Sequence, residues 1–391
     1  MSNKNFSKWL SSSLKQIKKS NLHRNLIEIS SSMGPEIIIN KKKFYQFASN
    51  NYLGLTTNPE VVSSSIKASN KFGVGTGGSR LVTGTSALHN KLEADIAKFK
   101  KTEDAIVFSS GYLANLGTIS SLMSKGDIIF SDELNHASLI DGSRLSKSKI
   151  VIYKHSDMLD LEKKLKRFSS STSRKMILTD TVFSMDGDIA PLDEIVFLCK
   201  KYNCLSMVDE AHATGVLGKT GSGATELFGI QNKIDICMGT LSKAVGSVGG
   251  YIAGSNKLID FLKNRARSFI FDTSLPGPAL EASIQSIRII KEDRELRKKL
   301  FNNIQELTDF LKSSNFSYVD TSTPIIPIII GDEKKTLKSA EFLFKNQIYI
   351  PAVRPPSVPK GESRIRITLM ANHESKHIKK LIRILDKLQR L

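Results

Sequence analysis

The sequence predicts an α/β protein: a large domain built on a mostly parallel, doubly wound sheet, with a smaller C-terminal α+β domain behind it. Three observations carry this. Short β-rich runs alternate with helical patterns through the middle of the chain. Those runs are nearly continuous in apolar residues, as in strands covered on both faces. After "TSLPGPAL" the alternation gives way to a long helical stretch and a mixed tail. With 391 residues the chain can bury two lobes, divided here as an N-terminal helix and arm over 1–48, a large domain over 49–280 and a small domain over 281–391.

The elements follow in order. In "NFSKWLSSSLKQIKK", Phe6, Leu10, Leu14 and Ile17 share one helical face. This reads as an amphipathic docking helix; a transit peptide would favour arginine, and the first arginine is Arg24. "AIVFSS" (105–110) precedes a helical "GYLANLGTISSLM", and "DIIFSD" (127–132) and "KIVIYKH" (149–155) follow as strands. Helical "DMLDLEKKLKRF" leads to a strand in "KMILTDTVF" (175–183), a helix near 193–203 and a strand in "LSMVDEAH" (205–212). "DICMGTLS" and "YIAGS" complete the sheet. A helical stretch over 279–314 then carries into "TPIIPIIIGD", a helix near 334–346, "IYIPAVRPPSVP", "SRIRITLMA" and a last helix.

Composition narrows the function. The formal charge is +19, from 57 basic and 38 acidic residues. The lysines are spread over helix faces ("EKKLKRF", "RELRKKLF", "KHIKKLIR"), without arginine-rich arms or aromatic-interleaved basic tracts, which argues against nucleic acid as the partner. Cys199, Cys204 and Cys237 have neither metal-ligand nor redox spacing, and so sparse a count fits a reducing cytoplasm. No uninterrupted apolar run approaches the roughly 20 residues that cross a bilayer.

In open α/β sheets, ligands gather at the carboxyl ends of strands. Four predicted strand ends carry unusual residues: "FSSGYLAN", "FSDELNHAS" with His136, "VDEAHATG" with Asp209 and His212, and "GTLSKAVG" with Thr240, Ser242 and Lys243. Singly, each has a plain reading: a turn glycine, a loop histidine, a helix-capping aspartate. A degenerate Walker pattern, "ATGVLGKT" beside "DEAH", raises a nucleic-acid-dependent ATPase. A phosphate-binding loop lies between a strand and a helix, whereas this one follows the acidic box and runs into "GSGATELFG", a poor helix.

Together the four ends suit one chemistry. A lysine among small residues leaves room for a ring bearing an aldehyde, and a carboxylate such as Asp209 keeps a pyridine nitrogen protonated. A phosphate needs N–H groups at a helix start and hydroxyls, which Ser110, Gly111, Tyr112 and Thr240 offer. His136 is available to stack on a ring, and His212 and Ser184 to reach a phenolic oxygen. The cofactor these requirements describe is pyridoxal 5′-phosphate; no metal is implied.

The chain resembles the fold-type I enzymes that use this cofactor, and more narrowly the α-oxoamine synthases. The motifs extend over nearly its whole length: "SNNYLGL", "GVGTGGSRLVTGTSALHNKLE", "SSGYLAN", "NHASLIDG", "VFSMDGDIAPL", "VDEAHATGVLG", "GTLSKAVGSVGGY" and "SRIRITLMANH". The resemblance implies an aminotransferase-like fold and the joining of an amino acid to an acyl thioester with loss of CO₂. "VRPPSVPKGESRIRITL" is similar to the branch taking L-alanine and a pimeloyl thioester, on CoA or a carrier protein; a glycine and acetyl-CoA branch is the alternative. By the same resemblance, Lys243 carries the cofactor and moves the Cα proton, Asp209 pairs with the pyridine nitrogen, and His136 stacks on the ring. His212 and Ser184 reach the phenolic oxygen, and Gly111, Tyr112 and Thr240 bind phosphate. Thr273 and Ser274 reach the phosphate in the neighbouring subunit of a homodimer. Arg366 holds the substrate carboxylate, and Arg24, Asn50, His136 and Ser357 contact substrate. Ser357, Gly277 and Asn51 depart from the usual threonine, proline and aspartate.

Overall fold

The computed structural model describes residues 4–390. Two strands lie in the arm, β1 (Glu36–Ile39) and β2 (Lys42–Gln46). Seven follow: β3 (Asp104–Phe108), β4 (Ile128–Asp132), β5 (Lys149–Tyr153), β6 (Lys175–Asp180), β7 (Leu205–Asp209), β8 (Ile236–Thr240) and β9 (Gly250–Gly254). The tail holds β10 (Ile325–Gly331), β11 (Ile348–Tyr349), β12 (Ala352–Val353) and β13 (Ser363–Thr368).

The middle seven form one sheet in the order β3-β9-β8-β7-β6-β4-β5. Strands β4 to β8 pair in parallel, and β9 is inserted antiparallel between β8 and β3. The continuous apolar runs have the expected cause. Ile177, Val208, Val107 and Phe130 enter one core, while their neighbours Met176, Leu178, Met207, Ile106 and Ile129 enter a second core on the opposite face.

Two boundaries differ from the sequence reading. The helical stretch over 279–314 is two helices, Gly277–Glu292 and Arg294–Lys312. Asp293 separates them, its carboxylate accepting the N–H groups of Glu295 (2.8 Å) and Leu296 (3.3 Å), so a new helix starts there. The arm is also less separate than its 1–48 division suggests. Strand β2 pairs antiparallel with β1 and parallel with β11, which ties residues 36–46 into the C-terminal part, beside the second small sheet β10-β13-β12.

The amphipathic N-terminal helix forms over Lys4–Lys19, with Trp9, Leu10, Leu14 and Ile17 exposed along its apolar side. No helix among the described residues is long and apolar enough to cross a membrane.

Candidate active site

The site assembles where five segments leave the central sheet at one edge. β6 ends at Asp180, β7 at Asp209 and β8 at Thr240, three residues before Lys243. His136 follows β4 and caps the helix Ala137–Leu145, while Ser110 follows β3 and caps Gly111–Leu122. Parallel strands point their carboxyl ends the same way, so residues over 130 positions apart in sequence converge.

Two hydrogen-bonded arms organise the side chains. In the first, buried Asp209 accepts from the Ala211 N–H (2.8 Å) and from Asn115 Nδ2 (2.8 Å). Asn115 Nδ2 also donates to Ser138 Oγ (2.9 Å), which bonds His136 Nδ1 (2.8 Å) and leaves the exposed His136 ring held at one edge. In the second arm, Lys243 Nζ lies 2.8 Å from His212 Nε2, and His212 Nδ1 lies 2.5 Å from the Tyr52 hydroxyl. Tyr52 donates to Asn50 Oδ1 (3.2 Å), which also accepts from Arg366 Nη2 (3.2 Å). Arg366 further donates from Nε to the Ser184 carbonyl (2.5 Å) and from Nη1 to Thr368 Oγ1 (2.8 Å). Two of its five N–H groups remain for a carboxylate.

The electrostatics suit a lysine that reacts as a free amine. Desolvation, reinforced by Arg366, pulls Lys243 down to about 8 against the opposing pull of Asp209 and Asp180. Burial, with Lys243 and Arg366 nearby, holds His212 well below the usual imidazole range. Burial and the neighbouring Asp209 charge push Asp180 well above the carboxylate range, while it accepts the His136 N–H at 2.7 Å.

The anion end is built by close backbone packing. A Cβ on Gly250 would lie 2.4 Å from Gly111 Cα, so this approach of β9 to the helix start requires glycine there. Ser110 Oγ accepts the Leu113 N–H at 3.2 Å, and the N–H groups of Gly111 and Tyr112 have no acceptor within their own helix. Thr240 Oγ1 donates to the Gly249 carbonyl (2.9 Å) and lies 2.8 Å from Ser242 Oγ. Tyr112 is exposed; its hydroxyl bonds Asp141 and its ring stands edge-on to His136, centroids 6.4 Å apart.

Other expected residues lie further out. Ser184 and Ser357 line a pocket of about 280 Å³ with His136. Arg24 donates to the Pro355 carbonyl (3.0 Å), beside that pocket's Pro356 and Ser357. Thr273 is exposed and Ser274 Oγ lies 3.5 Å from the Gly78 carbonyl; among the described residues no hydrogen bond joins either to Lys243. Asn51 uses its amide to donate to Thr56 Oγ1 (2.7 Å) and the Met33 carbonyl (3.3 Å), which an aspartate cannot do.

Asn115, Tyr52 and Asp180 were not picked out from the sequence. Asn115 sits one helical turn past Gly111, on the inward face of "SSGYLAN", and that periodicity is the signal that could have found it. The acidic box also has a structural purpose. Buried Glu210 pairs with buried Lys100, which donates as well to Thr214 Oγ1 (3.0 Å), and only the four-residue helix Ala224–Leu227 follows. A phosphate loop feeding a helix is therefore ruled out at 213–220.

A doubly wound sheet presenting a lysine, a buried aspartate and a helix start at one edge is the architecture of one large enzyme class. The chain belongs to the aminotransferase class I and II family, whose pattern matches residues 42–385. Among its relatives are the 8-amino-7-oxononanoate synthase of Lysinibacillus sphaericus, 49% identical over 97% of this chain and 96% of that one, and 8-amino-7-oxononanoate synthase 2 of Bacillus subtilis (strain 168), 49% identical over 96% and 95%. Among solved structures, the serine palmitoyltransferase of Sphingomonas wittichii superposes with a TM-score of 0.92 at 32% identity, covering 99% of this chain and 97% of that one. A structure of SPT with PLP gives 0.92 at 32% identity over 100% and 98%. The 8-amino-7-oxononanoate synthase of Francisella tularensis gives 0.76 at 29% identity over 89% and 97%.

Proposed function

We propose that this chain is an 8-amino-7-oxononanoate synthase: an acyltransferase of biotin biosynthesis that condenses L-alanine with a pimeloyl thioester, releasing CO₂ and the free thiol. The observation that carries this is identity of 49% over nearly the full length of relatives bearing that name. Serine palmitoyltransferases also superpose, with TM-scores of 0.92, but at 32% identity. Shape is shared across a fold family, whereas substrate choice follows site residues, so the higher identity decides.

Pyridoxal 5′-phosphate fits the residues present. The close Gly250–Gly111 packing sets free N–H groups and Thr240 at an anion cradle. Asp209, fixed by Asn115 and Ala211, supplies a buried carboxylate for the pyridine nitrogen, and Lys243 supplies the amine. When bound, the cofactor supplies an electron sink that stabilises negative charge at the amino-acid Cα. Lys243 takes the proton from Cα and later returns it, an exchange suited to an amine near neutrality. Arg366, steadied by Asn50, Thr368 and Ser184, offers its free N–H groups to the alanine carboxylate. The pocket beside Ser357 offers apolar wall for an acyl chain in Leu134, Ile140, Phe183 and Val358.

The working unit in this reading is a cytoplasmic homodimer with shared sites. Exposed Phe271, two residues before Thr273, and exposed Val74 and Val82, on either side of the Gly78 that Ser274 contacts, support such a face. The discriminating experiment is a steady-state assay of alanine, glycine and serine, each with pimeloyl-, acetyl- and palmitoyl-CoA. Turnover with alanine and the pimeloyl thioester is expected to dominate; faster turnover of glycine with acetyl-CoA would transfer the chain to the sister activity.

A further inference from the structure

We infer that His155 is a positioning residue, one imidazole tying the loop that delivers His136 to the hairpin that delivers Ser184. Its Nδ1 lies 3.0 Å from Asp132 Oδ1 and its Nε2 lies 2.9 Å from Asp188 Oδ2. Carboxylates only accept, so both ring nitrogens donate and the ring is an imidazolium. Burial opposes the charge, but the bonds to Asp132 and Asp188 outweigh it and hold the group up to about 10. Around neutrality the imidazolium therefore keeps its charge.

Each carboxylate belongs to a different site-bearing segment. Asp132 closes β4, and it shapes the following loop by accepting the Leu134 N–H on Oδ1 (2.9 Å) and the Asn135 N–H on its carbonyl (3.3 Å). His136 is the next residue. Asp188 closes the hairpin around Ser184: its carbonyl accepts the Phe183 N–H (3.1 Å), and the Gly187 N–H returns to the Phe183 carbonyl (2.8 Å). The Phe183 ring meets the His155 ring edge-on with centroids 4.3 Å apart, and the His155 N–H donates to Glu133 Oε1 (2.8 Å). From the other side β13 grips the same hairpin, Arg364 bonding Asp186 (2.5 Å) and Arg366 the Ser184 carbonyl (2.5 Å). The hairpin is thus held between the C-terminal sheet and the β4 loop; His155 links it to that loop, which Asn135 and the His136 N–H separately tie to the end of β6. That link matters for catalysis only through His136 and Ser184, so its functional consequence rests on the proposed cofactor contacts.

The test uses His155→Gln, which cannot donate from both edges, and Asp188→Asn, which keeps the shape but weakens one bond. Hydrogen exchange on the cofactor-free protein is expected to speed up together over 133–136 and 183–189, roughly tenfold, as for loss of a charge-assisted bond. In the same variants pyridoxal phosphate is expected to bind roughly tenfold more weakly, with a shifted absorbance band. The double variant is expected to be no worse than His155→Gln alone, because the two residues share one interaction. Unchanged exchange in either segment, or additive effects in the double variant, would overturn the bridge. The exchange measurement decides the bridge even if the wild-type protein takes up no pyridoxal phosphate, an outcome that would fall on the proposed function instead.

Discussion

The Lys243 amine donates to His212 Nε2, and proton counting along the arm fixes that direction. Asn50 Oδ1 can only accept, and it receives the Tyr52 hydroxyl at 3.2 Å. Tyr52 has then spent its one proton, so at 2.5 Å it accepts from His212 Nδ1, leaving Nε2 as the acceptor for Lys243. Neutral His212, kept so by burial, thus aims the lysine amine without competing for its proton. Lys243→Ala removes the residue that this arm exists to orient. Turnover is expected to fall by at least about 10³-fold, as for loss of a general base. The purified variant is expected to lack the yellow absorbance of the wild type, and an active, coloured variant would refute the assignment.

Tyr52→Phe tests the same arm from its middle. The change leaves buried His212 Nδ1 without an acceptor and half-buried Asn50 with one donor fewer. An unmet buried polar group costs about 1–3 kcal/mol. Because Asn50 also steadies Arg366, KM for alanine is expected to rise together with a fall in kcat. A change in kcat alone would show that the arm ends at His212.

The pH dependence of cofactor capture follows from the lowered Lys243. Only the neutral amine attacks an aldehyde, and the amine in the cofactor-free protein titrates at about 8. Below that pH the capture rate is expected to rise about tenfold per pH unit, levelling off above it. Stopped-flow absorbance of apoprotein mixed with pyridoxal phosphate would measure this. A rate still rising steeply at pH 10 would mean that the lysine keeps its ordinary value.

The gathering of Lys243, Asp209, His136 and Thr240 at the strand ends was legible in the sequence because these are rare types for apolar strand ends. Asn115 was not, since an amide in a helix is unremarkable until the fold points it at Asp209. Asn50 was expected at the substrate from the resemblance, but no local pattern in "SNNYLGL" announces that Tyr52 meets His212, 160 positions away. The placement of β2 beside β11 is likewise a long-range pairing of two short strands, each too brief to identify its partner. The break at Asp293 was readable in principle, since an aspartate before "RELRKKLF" is an N-cap signal; the apolar periodicity on both sides masked it.

Glu210 shows why one acidic residue beside the site is structural. Its side chain is fully buried against Lys100, itself 1% exposed, and it accepts the Thr225 N–H at 2.7 Å. Lys100→Met would leave that carboxylate without its countercharge, a loss of about 3–5 kcal/mol. Thermal unfolding is expected to shift down by several degrees. Glu210→Gln, which keeps an acceptor for Thr225, is expected to be milder on the same melt; melting unchanged in both variants would show that the charge pair carries little.

The shared-site reading predicts rescue between two inactive proteins. Thr273 is exposed and Ser274 contacts Gly78 rather than the Lys243 arms, so a role for them in phosphate binding needs a second copy. Lys243→Ala disables the site that its own chain builds; a Thr273→Val/Ser274→Ala double variant disables the site built by its partner. In a mixed dimer both defects fall on one site, and the other is fully wild type. Unfolding and refolding the two variants together is therefore expected to restore up to about a quarter of wild-type activity, because half of the random dimers carry one intact site of two. If Thr273 and Ser274 instead served their own chain, each mixed dimer would hold two damaged sites and activity would stay at the level of the separate variants.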